Sequence, residues 1–238
     1  MNVLLDMHTH TIASGHAYST VQEMAHTAAE KGLKLLGITE HGYAMPGTCD
    51  PIYFLNLHAI PRNMYGVDLM MGAELNILDY EGNIDMEESY WRLMDLRIAG
   101  LHKLCYTPGS IEQNTDALLG AIRNPFVQII SHPGDGTADF LFEPVVLEAK
   151  KTRTILEINN SSLNPARHKK KAKPNNLEIL RLCKQHEVPV ILGSDAHISF
   201  SIGDYGYIYE LLQIAEFPEQ LIFNDKPDFF KSYLKKMP

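Results

Sequence analysis

The sequence predicts an α/β, barrel-like fold, and three observations carry that expectation. Short apolar runs alternate with amphipathic helical stretches about seven times, the pattern of parallel strands joined by right-handed crossovers. No glycine-rich dinucleotide fingerprint or phosphate-binding P-loop follows any apolar run, which argues against a doubly wound nucleotide-binding sheet. The length of 238 residues, with 45% hydrophobic and 21% charged side chains, suits a single domain over residues 1–238, with no interdomain linker in view.

The first strand is expected over residues 3–7 and runs into His8 and His10. Side chains alternate along a strand, so imidazoles at i and i+2 point to one side, where both can hold one metal ion. Thr20 and Glu23 read as a capping box, whose hydroxyl and carboxylate satisfy opposite orphan amides. Their helix is expected to reach Lys31, with Gly32 as a left-handed stop. The second strand, residues 35–39, ends in Glu40-His41. A segment broken by Pro46, Pro51 and Pro61 follows, helical near residues 54–60. The third strand, residues 69–73, ends at Glu74, with residues 75–78 continuing it.

A short helix over residues 87–93 precedes the fourth strand, residues 95–101, which closes on His102. A helix over residues 111–123 leads to the fifth strand, residues 127–131, closing on His132. Another helix, residues 143–150, leads to the sixth strand, residues 154–158, ending in Asn159-Asn160-Ser161-Ser162. The basic loop Arg167-His168-Lys169-Lys170-Lys171 and a helix over residues 175–186 come next. The seventh strand, residues 188–193, ends in Ser194-Asp195-Ala196-His197.

Composition narrows the partners. A formal net charge of -8 disfavours whole-surface affinity for nucleic acid. Cys49, Cys105 and Cys183 show no paired spacing, as in a reducing compartment. With no signal-peptide pattern and no apolar run of bilayer length, a cytoplasmic protein without membrane contact is expected.

Function is written at the strand ends. His8, His10, His16, His41, Glu74, His102, His132, Asp195 and His197 all fall at or just past the C-terminal end of a strand. That is the face on which α/β barrels build active sites. Nine such groups exceed what one ion can use, because a four- or five-coordinate ion takes three or four protein ligands and keeps a place for water. Three divalent ions fit better than one or two, provided a carboxylate bridges. Nitrogen and oxygen ligands without thiolate suit Zn, Mn or Fe and disfavour Mg or Ca. His26, His58 and His186 read as structural or surface groups, and Cys105 as pointing away from the site despite its zinc-like spacing from His102. Asp6 and Glu40 flank ligands and either orient them or are simply solvated.

The motifs Asp6-Met7-His8-Thr9-His10-Thr11, Gly37-Ile38-Thr39-Glu40-His41, Gly72-Ala73-Glu74, Ile130-Ser131-His132-Pro133 and Gly193-Ser194-Asp195-Ala196-His197 span nearly the whole chain. With them the sequence resembles the PHP (polymerase and histidinol phosphatase) family. The compact length, the Asn159-Asn160-Ser161-Ser162 segment and Arg167 look most like its YcdX-like phosphatase branch. The resemblance implies a distorted (β/α)7 barrel, similar to a TIM barrel, with a trinuclear and usually zinc centre. Position by position, it implies that His8, His10, Glu74 and Asp195 hold one ion. Glu74 would bridge to a second, held by His102 and His132, and His16, His41 and His197 would hold the third. Homo-oligomeric assembly is a further expectation from the branch.

The chemistry expected of such a site is hydrolysis of a small phosphomonoester by metal-activated water, which adjacent divalent ions bring towards ionisation near neutral pH. Asp195 is the candidate to orient that water or accept its proton, or else only to ligate. Arg167 is expected to fork onto the phosphate, with His168 beside it, while Lys169 to Lys171 read as a solvated charged loop. Two rival readings stand beside this one. An amidohydrolase also carries His-x-His on its first strand, but often bridges its metals with a modified lysine from a middle strand, and no lysine closes the fourth strand here. A non-catalytic, metal-stabilised module would have no need to keep all nine ligand types.

Overall fold

The computed structural model describes residues 2–234, so residues 1 and 235–238 of the expected domain lie outside the described residues. Its centre is a sheet of short strands: β1 (Leu5–Asp6), β2 (Leu35–His41), β3 (Asn63–Met64), β4 (Val67–Asn76), β5 (Leu96–Gly100), β6 (Ile129–Ile130), β7 (Ile155–Asn159) and β8 (Val190–Gly193). Seven of them pair in parallel in the order β1-β2-β4-β5-β6-β7-β8, while β3 forms an antiparallel edge on β4. The helices are α1 (Val21–Glu30), α2 (Ile52–Leu55), α3 (Glu88–Trp91), α4 (Ile111–Arg123), α5 (Phe142–Thr152), α6 (Asn160–Leu163), α7 (Ala172–Gln185), α8 (Gly206–Ile214) and α9 (Pro227–Tyr233). The expected seven-stranded α/β barrel is therefore the observed architecture.

The barrel closes imperfectly between β8 and β1, and the two ends of that seam are joined differently. At the C-terminal end, the Asp195 amide donates to His8 O at 3.0 Å and the His10 amide to Ala196 O at 2.9 Å. At the opposite end, residues 222–224 slot into the seam: the Phe223 amide donates to Val190 O at 3.2 Å and the Leu4 amide to Asn224 O at 2.7 Å. The fully buried Asn224 amide group donates to Leu5 O at 3.1 Å and Leu192 O at 2.9 Å. Its Oδ1 accepts the Leu192 amide at 2.8 Å. A side chain thus replaces the ladder where the strands splay.

Two apolar layers hold the barrel. Inside it, Leu5, Leu35, Ile98, Ile129, Ile155 and Ile191 pack on Phe223 and on Phe230 of α9. Outside it, a larger cluster joins strands to helices, with Ile38, Met71 and Leu192 meeting residues such as Met24, Leu118 and Leu180.

Several boundaries move from the expected ones for identifiable reasons. The capping box at Thr20 and Glu23 is formed, and Gly32 has φ 81° as expected of a left-handed stop. β4 continues past Glu74 as expected, since Leu75 and Asn76 still pair with Ala99 and Gly100 of β5, but it ends at Asn76, short of the expected residue 78. The proline-broken segment holds only α2 and a 3₁₀ turn, Leu57–Ala59. α7 starts at Ala172, earlier than expected, and α8 and α9 extend the fold past the last expected strand. Among the described residues, no helix is long and apolar enough to cross a membrane.

Candidate metal centre

All nine candidate ligands converge at the C-terminal end of the barrel. His8 and His10 do share a face: their Nε2 atoms are 3.0 Å apart, although the regular strand β1 stops at Asp6. Glu74 Oε2 lies 3.3 Å from His8 Nε2 and 3.4 Å from His10 Nε2. Asp195 Oδ1 lies 3.6 Å from each of the same two nitrogens. The other Glu74 oxygen, Oε1, faces a different pair, at 3.2 Å from His102 Nε2 and 2.8 Å from His132 Nε2. Those two nitrogens are themselves 3.2 Å apart. On the outer side, His16 and His41 approach to 3.3 Å through Nε2, and the His197 ring lies 4.8 Å from that of His16.

These spacings suit cations. Ligand atoms about 2.0–2.1 Å from a tetrahedral ion stand roughly 3.3 Å from one another. Three sets of ligand atoms lie within 4.8 Å of one another: His8 with His10 and Glu74, His41 with Glu74 and His102, and His10 with His41 and His197. The sets overlap through His10, His41 and Glu74, so the cluster is continuous. His41 stands closer to Glu74 than the grouping implied by resemblance would place it, with Nδ1 3.0 Å from Oε2. That contact suits an Nδ1–H donated to the carboxylate, which leaves Nε2 free to ligate beside His16, and it suits equally an ion held between the two atoms.

Charge in the cluster points the same way. Burial pushes His10, His16 and His102 below the ordinary imidazole range, with His41 adding to the effect at His10 and His16. Neutral imidazole is the form that ligates a metal. Burial alone would raise the pKa of Glu74, but His8, His102 and His132 hold it well below the usual carboxylate range. Asp195 is likewise held low against burial, by His8, His197 and His10. At His8 burial disfavours charge, yet Glu157, Glu74 and Asp195 override it and raise the pKa. The field in this cage favours a cation.

A layer behind the ligands fixes their rings. His10 Nδ1 meets Ser14 Oγ at 2.9 Å, and that hydroxyl donates to Glu40 Oε2 at 2.6 Å, so Glu40 orients a ligand as one of its two expected readings held. Asp6 accepts the amides of Gly203 at 2.8 Å and Ser194 at 3.3 Å, tying the last strand's loop to the first. The residue that sequence reading missed is Glu157 in β7. Its Oε1 lies 2.8 Å from His8 Nδ1, and its Oε2 accepts the His132 amide at 2.7 Å. One buried carboxylate thereby positions two candidate ligands. Glycines make the room: a Cβ at Gly193 would sit 1.7 Å from Glu157 Oε1, and one at Gly100 would sit 2.9 Å from His132 Cε1. His132 and Asp195 themselves adopt left-handed φ values of 32° and 54°, a strained state that tends to gather at functional sites.

The cluster forms the floor of a cleft of about 840 Å³, whose walls include Arg167, His168 and Lys103. Arg167 is exposed on a 3₁₀ turn, Pro165–Arg167, and His168 follows it at φ 55°. Lys169 departs from the solvated-loop expectation, since it pairs with the buried Asp135 at 2.6 Å, whereas Lys170 is exposed and Lys171 makes an exposed ion pair with Asp139 at 2.7 Å. Away from the cleft, His26 and His58 are exposed and His186 pairs with Glu143 at 2.8 Å, as surface groups should. Cys105 joins none of the three ligand sets.

Comparison with known proteins follows the same line. The family model described as "PHP domain" matches residues 6–221. A chain from Clostridium novyi named a probable phosphatase is 46% identical over 235 residues, covering 99% of this chain and 96% of that one. A probable phosphatase from Acetivibrio thermocellus is 41% identical, over 99% of this chain and 97% of its own length. Among solved structures, the histidinol phosphate phosphatase of Lactococcus lactis, complexed with zinc, L-histidinol and phosphate, aligns with a TM-score of 0.60 at 18% identity, over 90% of this chain and 94% of that one.

Proposed function

The chain belongs to the PHP domain family, and from that premise we propose that it is a metal-dependent phosphatase of the YcdX-like branch, hydrolysing a small phosphomonoester at a trinuclear centre. One observation carries the reading: the two oxygens of the buried Glu74 face two different sets of imidazoles. A carboxylate so placed would offer one oxygen to each of two neighbouring ions. His8, His10, Glu74 and Asp195 would hold one ion, Glu74, His102 and His132 a second, and His16, His41 and His197 the third. The all-imidazole and carboxylate donor set suits zinc, with manganese or iron as substitutes. Bound divalent ions supply positive charge for a phosphate dianion and a water acidic enough to react near neutral pH.

The protein's own groups do the rest. Asp195, held ionised by its imidazole neighbours, has a carboxylate 3.4 Å from His197 Nδ1 and is part-exposed to the cleft, where it can take a proton from a water. Glu157 keeps His8 presented through Nε2 by occupying its Nδ1. Arg167, on the cleft wall, offers the planar fork that matches two phosphate oxygens, and His168 extends that wall. The free cysteines suit a reducing compartment, the cytoplasm.

The test is turnover. Metal-replete protein assayed on a generic phosphomonoester, beside amide and lactone panels, is expected to hydrolyse the phosphate ester alone and to stop on chelation. Absence of phosphatase turnover in that sample would overturn the reading.

A further inference from the structure

We infer that the substrate carries a second anionic group beyond the phosphate that reacts, held by Lys103 and Lys170 on the walls of the cleft. The inference rests on the phosphatase reading and names the substrate class that the reading leaves open.

The cleft is far larger than one phosphate. Its volume of about 840 Å³ is in the range, roughly 300–1,000 Å³, of pockets that enclose an entire small organic molecule. The structure sorts the cations on its walls into two kinds. Lys169 and Lys171 are already committed to Asp135 and Asp139. Arg167, Lys170 and Lys103 line the same cleft, are exposed, and form no side-chain ion pair or hydrogen bond among the described residues. The carboxylates that share the lining are engaged elsewhere: Glu74 and Asp195 by imidazoles, Asp135 by Lys169.

The chain has a net charge of -8, so three uncompensated cations around one opening run against its overall balance. Arg167 suffices for the reacting phosphate, which leaves two ammonium groups facing the remainder of the ligand. Such point charges suit a carboxylate or a second phosphate and repel an amine.

Three esters with the same alkyl spacer test this, one ending in a second phosphate, one in a hydroxyl and one in an ammonium. The bisphosphate is expected to show a KM about tenfold below that of the hydroxyl ester, the scale of one or two charge-assisted hydrogen bonds. That advantage should shrink with added salt, and the ammonium ester should be the poorest substrate. In a Lys103→Ala/Lys170→Ala variant the ratio of kcat/KM between bisphosphate and hydroxyl esters should fall towards one, whereas Lys171→Ala should retain it. Equal KM values for the two esters, a preference for the ammonium tail, or a ratio that survives the double variant would overturn the inference. Calorimetric binding of the matching non-hydrolysable phosphonates to metal-loaded protein separates this question from catalysis. If no ester turns over, the phosphatase reading fails. Tighter binding of the bisphosphonate than of the hydroxyl phosphonate then still supports the anionic subsite, and equal binding rejects it.

Discussion

The two ends of the barrel interior follow opposite rules. At one end Phe223 and Phe230 cap a stack of Leu and Ile side chains, and a buried polar group in the seam, Asn224, has its carbonyl and amide bonded to backbone. At the other end imidazoles and carboxylates crowd together, two of them on left-handed backbone, with Glu74 Oε2 and His41 Nδ1 facing each other at 3.0 Å. Apolar burial stabilises the first end at roughly 25 cal/mol per Å². The second is destabilising on its own terms, since buried charge is tolerated only when paired or ligating. The difference teaches that stability and chemistry are separable along one barrel axis: the plugged end holds the fold, and the open end is free to be built for ions.

Substitutions can break or sharpen that separation. Glu74→Gln, at the open end, should have the largest effect. It is expected to lower kcat by about a thousandfold, the upper range for losing one preorganised charge contact, and to reduce metal content in elemental analysis. Phe230→Ala, at the plugged end, should cost about 3–4 kcal/mol in denaturant unfolding, with the metal-to-protein ratio of the folded fraction unchanged. A loss of metal in that variant would show that the two ends are coupled. Glu157→Gln should weaken metal affinity about 10–100-fold in a chelator competition, because His8 loses the carboxylate that orients it. Arg167→Ala is expected to be the mildest: KM for a phosphomonoester rises about tenfold, the value of one forked contact, while metal content stays intact. Wild-type behaviour of this last variant would remove Arg167 from the phosphate site.

What the sequence made legible follows from the same contrast. Several candidate ligands at the open end follow an apolar run, so His41, His102 and His132 announce themselves as polar groups that end strands. His8 and His10 add the two-residue period that places them on one face. Glu157 gives no such sign, because it sits inside the run Ile155-Leu156-Glu157-Ile158 and reads as part of a strand. A signal was present even so: an acidic residue within a strand expected to be buried on both faces needs a buried partner. Asn224 was beyond reach, since its role depends on a seam between the first and last strands that no local pattern encodes. Lys169 was read as solvated for a similar reason, its buried partner Asp135 lying on the turn after β6.

The number of ions held at the open end decides whether a bridged trinuclear centre is correct. Elemental analysis of protein loaded with zinc and desalted measures this directly. Three ions per chain is the result the cluster predicts, falling in Glu74→Gln, which loses the shared ligand. A saturating ratio of one in the wild-type protein, unchanged by Glu74→Gln, would contradict a bridged trinuclear centre.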